Sequence, residues 1–247
     1  MKRFLSVDWD YFIGATAIDR LRFFPDGGNE NLPDSLRDYI WDSHYIHPEL
    51  REMKVIPEYK DFLNLCKNFR GECMIADSHK HAFDFIMDNT SPDEEFVVYN
   101  IDFHHDLYDY KTSNGERVNC GNWVTVLREE RPNMKYIWIR RDDSDISTTG
   151  GVKVKAEFMP FSVLLMTIRN NFDGLFDYLY LCRSAVWSPP HLDDKFIRVV
   201  KTLLNKSYYA QYEKGIDKPR PYDIPNDFGM YNALASIAEE ARKGLKD

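Results

Sequence analysis

Three short runs hold the residue types that bind divalent metal. Asn100-Ile101-Asp102-Phe103-His104-His105-Asp106 follows an apolar stretch. If the chain stays extended there, Asp102, His104 and Asp106 share one face, because side chains alternate along a strand. Two carboxylates and an imidazole on one face make a metal site. The plainer account is a set of strand-end polar residues that bond one another and nearby backbone. Ser6-Val7-Asp8-Trp9-Asp10 closes another apolar stretch, again with two aspartates, Asp8 and Asp10, on one face. Alone, such a pair is as readily a turn or a helix cap. Beside the first run it gains weight, since hard divalent ions want several oxygens. A third run, Asp77-Ser78-His79-Lys80-His81, follows a further strand, and one of its histidines, His79 ahead of His81, can add a ligand. Four aspartates and two histidines are more than one ion needs. Their mixed carboxylate and imidazole character suits two Mn2+ ions better than zinc–thiolate chemistry. A pair of such ions acidifies a shared water at neutral pH and polarises the group under attack.

These runs need a scaffold that brings them together. Apolar stretches over 4–7, 73–76, 96–101, 136–139 and 178–182 read as buried strands. Helical patterns over 36–41, 59–68, 81–88, 123–129 and 195–204 lie between them, with a last one over 230–245. The alternation predicts an α/β protein with three layers, α/β/α, and a mostly parallel sheet covered on both faces. In such sheets ligands bind beyond the carboxyl ends of the strands, which is where the three runs sit. Residues 24–33 read as a loop rich in Gly, Asn and Pro, and 208–227 as an ordered, irregular arm. No internal repeat or low-complexity linker divides the chain, so 1–247 reads as a single domain.

Composition narrows the partners. The net charge is −8, from 32 basic and 40 acidic residues, which argues against nucleic acid and is compatible with a cationic substrate. No stretch approaches the length of a membrane span, and Met1-Lys2-Arg3 leads into a short strand rather than an apolar leader. The expectation is a soluble, cytoplasmic protein. Cys66, Cys73, Cys120 and Cys182 have no Cys-x-x-Cys spacing and read as buried thiols.

The pattern Asp102-x-His104-x-Asp106 after a buried strand resembles the ureohydrolases, the family of arginase and agmatinase. So does the Gly121-Asn122 step, where that family has a Ser-Gly-Asn run touching the substrate. Ser6-Val7-Asp8-Trp9-Asp10 is similar to the family's Ser-Phe-Asp-Val-Asp, and His79 to its single histidine ahead of the main motif. In typical arginases the Asp-x-Asp segment comes later in the chain. Here it comes first, which implies an arginase/deacetylase-like sheet with permuted connectivity. The combination resembles most the atypical peptide arginases, which convert arginine side chains to ornithine within ribosomally made peptides. The resemblance implies a manganese hydrolase with two Mn2+ per chain. One ion would take His79, Asp102, Asp106 and Asp8; the other would take His104, Asp102, Asp8 and Asp10, with Asp102 and Asp8 bridging. Asn122, flanked by Gly121 and Trp123, would lie beside the substrate. The implied partner is an arginine-containing precursor peptide, the products are urea and an ornithine side chain, and a homo-oligomer is compatible.

The chain departs from the family at one point: Trp123 and Val124 follow Asn122 where a histidine two residues on would shuttle protons. His105, His81 and His191 are the candidates to replace it. For the carboxylate that grips the guanidinium the candidates are Glu49, Glu52 and Asp193. The altered sequence around Gly121-Asn122 favours a peptide over free arginine, whose α-amino and α-carboxylate groups would need dedicated partners. Two rivals stand beside this reading. One is a single-zinc amide hydrolase of the deacetylase group, against which Asp106 speaks; the other is a module that binds a cationic peptide without chemistry. The run Trp187 to Asp194 is either a pocket wall or a strand-to-helix loop with Asp193 and Asp194 in the first helical turn. The charge run Arg140 to Asp145 reads as a solvated loop. The tyrosine-rich arm either grips a peptide or packs on the domain.

Overall fold

The computed structural model describes residues 1–25, 32–109, 115–147, 153–169 and 175–224, with two isolated positions beyond them. Seven strands form one sheet: β1 (Lys2–Asp8), β2 (Glu72–Ala76), β3 (Phe96–Ile101), β4 (Met134–Ile139), β5 (Glu157–Met159), β6 (Tyr178–Cys182) and β7 (Tyr209–Tyr212). All neighbours pair in parallel, in the order β5-β4-β3-β1-β6-β2-β7. Among the described residues eight α-helices of known bounds accompany them: α1 (Ala17–Phe23), α2 (Asp34–His44), α3 (Pro48–Glu52), α4 (Glu58–Asn68), α5 (His81–Asp88), α6 (Trp123–Glu130), α7 (Phe161–Arg169) and α8 (Asp193–Lys206). This is the expected α/β architecture, with the sheet parallel throughout. No helix among the described residues is long and apolar enough to cross a membrane.

The inner strands are apolar on both faces because each face is covered. Leu5 and Val7 of β1, Val97 and Ile101 of β3 and Leu179 and Leu181 of β6 pack with α4, α7 and α8. Phe4, Val98, Tyr136, Trp138 and Tyr180 point the other way, against α5 and α6. Alternation along each strand makes this division.

Of the elements not expected from periodicity, α1, α3, β5 and β7 are short or at a sheet edge, whereas α7 has nine residues. β5 has three residues, two of them exposed, and β7 is the Tyr-Ala-Gln-Tyr segment at the other sheet edge. The arm over 208–227 is therefore strand in part, and its last three residues lie outside the described set. α1, not expected from the sequence, opens on a capping box between Thr16 and Asp19, and the loop expected over 24–33 lies mostly outside the described residues. All but two positions of the helix expected over 230–245 also lie outside them.

The connectivity decides where a site can form. β1 is central. The chain moves two places away to lay down β2, then builds β3, β4 and β5 outwards on the opposite side. β6 later fills the slot between β1 and β2. Segments leaving the carboxyl ends of β1 and β3 depart in different directions and leave a crevice between them.

Candidate metal centre

Four strand ends meet at that crevice. Asp8 closes β1 on the same face as Phe4 and Ser6, so it continues the row facing α5 and α6. Its Oδ1 accepts from the Asp10 amide at 3.0 Å, which winds Trp9–Phe12 into a single 3-10 turn. The turn, not strand alternation, brings Asp10 back beside Asp8. Past β3 the chain also bends. Asp102 Oδ1 accepts from the His104 amide at 2.8 Å, and Asp106 has a φ of 53°. The extended run that would align Asp102, His104 and Asp106 is thus broken, and a left-handed residue turns Asp106 inward instead. His79 enters from beyond β2, and Ser184, with a φ of 55°, from beyond β6. Among the described residues only these two non-glycines, Asp106 and Ser184, have positive φ, and both touch the cluster. Such conformations cost of order 1 kcal/mol or more and persist where the surroundings fix them.

Two overlapping groups result. Asp8, His79 and Asp102 each offer a ligand atom within 4.8 Å of the others, and so do Asp10, Asp102 and His104. Asp102 belongs to both. His79 Nδ1 faces three carboxylate oxygens: Asp106 Oδ2 at 3.0 Å, Asp102 Oδ2 at 3.3 Å and Asp8 Oδ2 at 3.4 Å. Yet it has no aligned hydrogen bond with any of them and is fully buried. His104 Nδ1 lies 3.2 Å from Asp10 Oδ2 and 3.9 Å from Asp102 Oδ1. Its side chain is 24% exposed, the opening of an otherwise buried cluster, and its ring lies 5.0 Å from that of Trp187.

The electrostatics state what is needed here. Burial, then repulsion from Asp10 and Asp102, pushes the Asp8 carboxyl up to about 7. Burial and Asp106 push Asp102 up to about 7. Burial would lower both histidines, but the carboxylates outweigh it: His104 rises to about 9 and His79 well above its ordinary value. Packed carboxylates that cannot all ionise are relieved by a cation. The orphaned His79 nitrogen and a bondless buried Asp10 Oδ1 are two further donors without partners. Oxygen and imidazole donors in this proportion fit a divalent ion, so the buried Asp/His groups can hold a metal.

Each donor has its own support. Ser6 Oγ lies 2.7 Å from His79 Nε2, so a proton on Nε2 leaves Nδ1 free to ligate. Asn100, the registered neighbour of Ser6 across β1 and β3, donates to Asp102 Oδ2 at 3.1 Å. Ser184 Oγ donates to Asp8 Oδ2 at 3.0 Å, and Trp123 Nε1 to Asp106 Oδ2 at 2.6 Å. The buried Arg20 of α1 clamps Asp10 through Oδ2 at 3.0 Å and the backbone oxygen at 2.6 Å, and its guanidinium lies 4.0 Å from the Phe103 ring centre. Burial alone would raise Asp10; Arg20 and His104 bring it below its ordinary value. Of these supports only Trp123 was singled out from the sequence, and as a neighbour of the substrate rather than of Asp106. The legible signal was Ser6 and Asn100, polar residues interrupting buried apolar strands.

The remaining expected site residues lie as follows. Trp123 is fully buried beneath Asp106, away from the opening. Asn122 is tied into its own loop, accepting from the Asn119 amide at 2.7 Å and donating to Arg117 O at 3.1 Å, while Gly121 donates its amide to Asn119 Oδ1. His105 is locked by backbone on both ring nitrogens: Nδ1 accepts from Leu107 N at 2.9 Å and Nε2 reaches Ser147 O at 3.1 Å. His191 is held likewise between Tyr45 Oη at 2.7 Å and Met53 O at 3.1 Å. His81 starts α5, half-buried. Glu49 and Glu52 are exposed on α3. Asp193 does grip a guanidinium, that of Arg220 in the arm, with oxygens 2.6 and 2.9 Å from NH2 and Nε.

Compared with protein-family models, with curated proteins and with solved structures, the chain finds no match in any of the three.

Proposed function

We propose that this chain is a binuclear manganese hydrolase that cleaves the guanidinium of arginine side chains in a peptide, giving ornithine and urea. The observation that carries the reading is the pair of ligand groups sharing Asp102 at the carboxyl edge of a parallel sheet, with His79 Nδ1 unpaired among three carboxylate oxygens. One group would be Asp8, His79, Asp102 and Asp106, the other Asp10, Asp102 and His104. When bound, two divalent ions supply an ionised water at neutral pH and an electrophilic clamp on the carbon under attack.

The chain's own residues prepare that site. Ser6 sets the His79 tautomer, and Asn100, Ser184 and Trp123 hold Asp102, Asp8 and Asp106 in place. Depth in the sheet edge keeps bulk water from every ligand except His104. The His104 and Trp187 rings flank the opening through which an arginine side chain would reach the cluster. A peptide, rather than free arginine, fits an edge where Asn122 is absorbed in its own loop and Asp193 already holds Arg220.

A second reading keeps one ion, in the Asp8, His79 and Asp102 group, and makes the protein a single-metal amide hydrolase. Arg20 favours it, because its charge already compensates Asp10. Protein loaded with Mn2+ and incubated with arginine-containing peptides should release urea and leave ornithine, with two ions per chain by elemental analysis. Asp106→Ala should lose an ion and nearly all turnover. One tightly held ion together with deacylation would favour the second reading, and a fully active Asp106→Ala would remove the cluster from the chemistry.

A further inference from the structure

Beside the cluster lies an open cleft of about 650 Å3, lined by Tyr11, Glu58, Asp61, Asp142 and Phe161 among others. It belongs to the same sheet edge: Tyr11 directly follows Asp10, Arg140 to Asp143 follow β4, and Pro160 follows β5. The Phe103 ring joins the two places, with Arg20 on the cluster side and the Arg141 guanidinium 5.3 Å from it on the cleft side.

The cleft's lining carries four carboxylates, Glu58, Asp61, Asp142 and Asp143, and two arginines, Arg140 and Arg141, and Arg140 has no ion-pair partner among the described residues. Arg141 is committed to Asp143 through two bonds of 2.9 and 3.0 Å and to Ile13 O. Arg140 lies 4.5 Å from the Phe158 ring centre. Among the described residues Glu58, Asp61 and Asp142 have no ion-pair partner. Tyr11 supplies an independent pointer. The residue is 97% buried and lines the cleft, its hydroxyl makes no hydrogen bond among the described residues, and that oxygen is open to solvent. The walls are apolar: Ile56, Pro57, Pro160, Phe161 and Leu165.

Unpaired carboxylates and a free phenol oxygen above apolar walls match one kind of side chain, a cationic head on an aliphatic stem. We propose that this cleft is a subsite for a second basic side chain, lysine or arginine, of the peptide whose reacting arginine enters the metal centre. The assignment rests on the peptide reading of the centre. It makes the protein selective for arginines that have a basic neighbour in the sequence.

Labelled peptides with one reacting arginine, differing only in carrying lysine or its neutral isostere norleucine nearby, test it by fluorescence anisotropy on the Mn2+-loaded protein. The lysine peptides should bind about tenfold more tightly for at least one spacing, the advantage shrinking as salt rises. In the double variant Asp61→Asn/Asp142→Asn the ratio should fall to about one; both residues are exposed, so the fold is not at stake. Equal binding of the two peptides at every spacing, or an advantage that survives in the double variant, would overturn the subsite. Turnover of the same peptides separates the two proposals. Turnover without lysine preference removes the cleft alone, and lysine preference without turnover removes the hydrolase reading alone.

Discussion

At the residue scale the decisive atom is His79 Nδ1. It sits among three acidic oxygens without an aligned bond, while the opposite nitrogen meets Ser6. Ser6 therefore acts through His79: where its hydroxyl accepts from Nε2–H, Nδ1 is left free to ligate. Ser6→Ala should weaken Mn2+ binding by roughly tenfold, in line with other loss-of-support substitutions around metal ligands. The change should appear in the metal titration while the far-ultraviolet circular dichroism stays as in the parent. Ser6→Thr, which keeps a hydroxyl, should restore much of the affinity. An Ala variant with unaltered affinity would mean that the His79 tautomer is set by something else.

At the scale of elements, the contact that matters is between the turn after β1 and helix α1. Arg20 of α1 and Asp10 of the turn form an ion pair of which almost nothing is exposed. Removing one partner of such a pair leaves the other charge buried and alone, at a cost of about 3 kcal/mol. Arg20→Met should lose that much stability by urea unfolding when metal-free. Mn2+ should recover more of it than it adds to the parent protein, since an ion can replace the lost cation beside Asp10. Recovery no larger than in the parent would show that Asp10 is not a ligand. The elements also show what the sequence could and could not disclose. The five inner strands and the helices α2, α4, α5, α6 and α8 were legible because each buries a long apolar face at the period of its own geometry. The edge strands β5 and β7 and the one-turn α3 bury too little to leave such a pattern. The positions of Asp8, Asp102 and His79 at strand ends were legible too. The cap that Asp8 places on the Asp10 amide was one of the two readings that pair allowed; that Asp106 reaches the cluster through a left-handed residue was not legible, because it depends on the tertiary contact with Trp123.

For the whole molecule, the buried Asp/His cluster is a source of instability until its charge is neutralised. Asp8 and Asp102 are raised from 3.8 to about 7 in the folded protein. The folded state thus holds protons that the unfolded chain releases above pH 3.8, and this stabilisation is lost between there and about pH 7. His104, raised from 6.5 to about 9, continues the loss up to that pH, and His79 acts in the same sense. Metal-free protein should melt at steadily lower temperature from pH 5 to pH 9, and Mn2+ should flatten the profile by taking the place of the protons. A metal-free melting temperature that rises over that range would contradict the buried-carboxylate account. The sheet order bears on the protein's synthesis as well. A ribosome that has delivered the chain through Arg169 has made every ligand of the cluster, yet Asp8 and His79 then flank the slot that β6 has still to fill. Strand β6 also brings Ser184, the support of Asp8. The centre therefore closes late, so a nascent or prematurely released fragment carries the ligands without a pocket that retains an ion. On the proposed reading of the cluster, capture of an ion would mark the insertion of β6 between β1 and β2, and only chains folded that far would keep it.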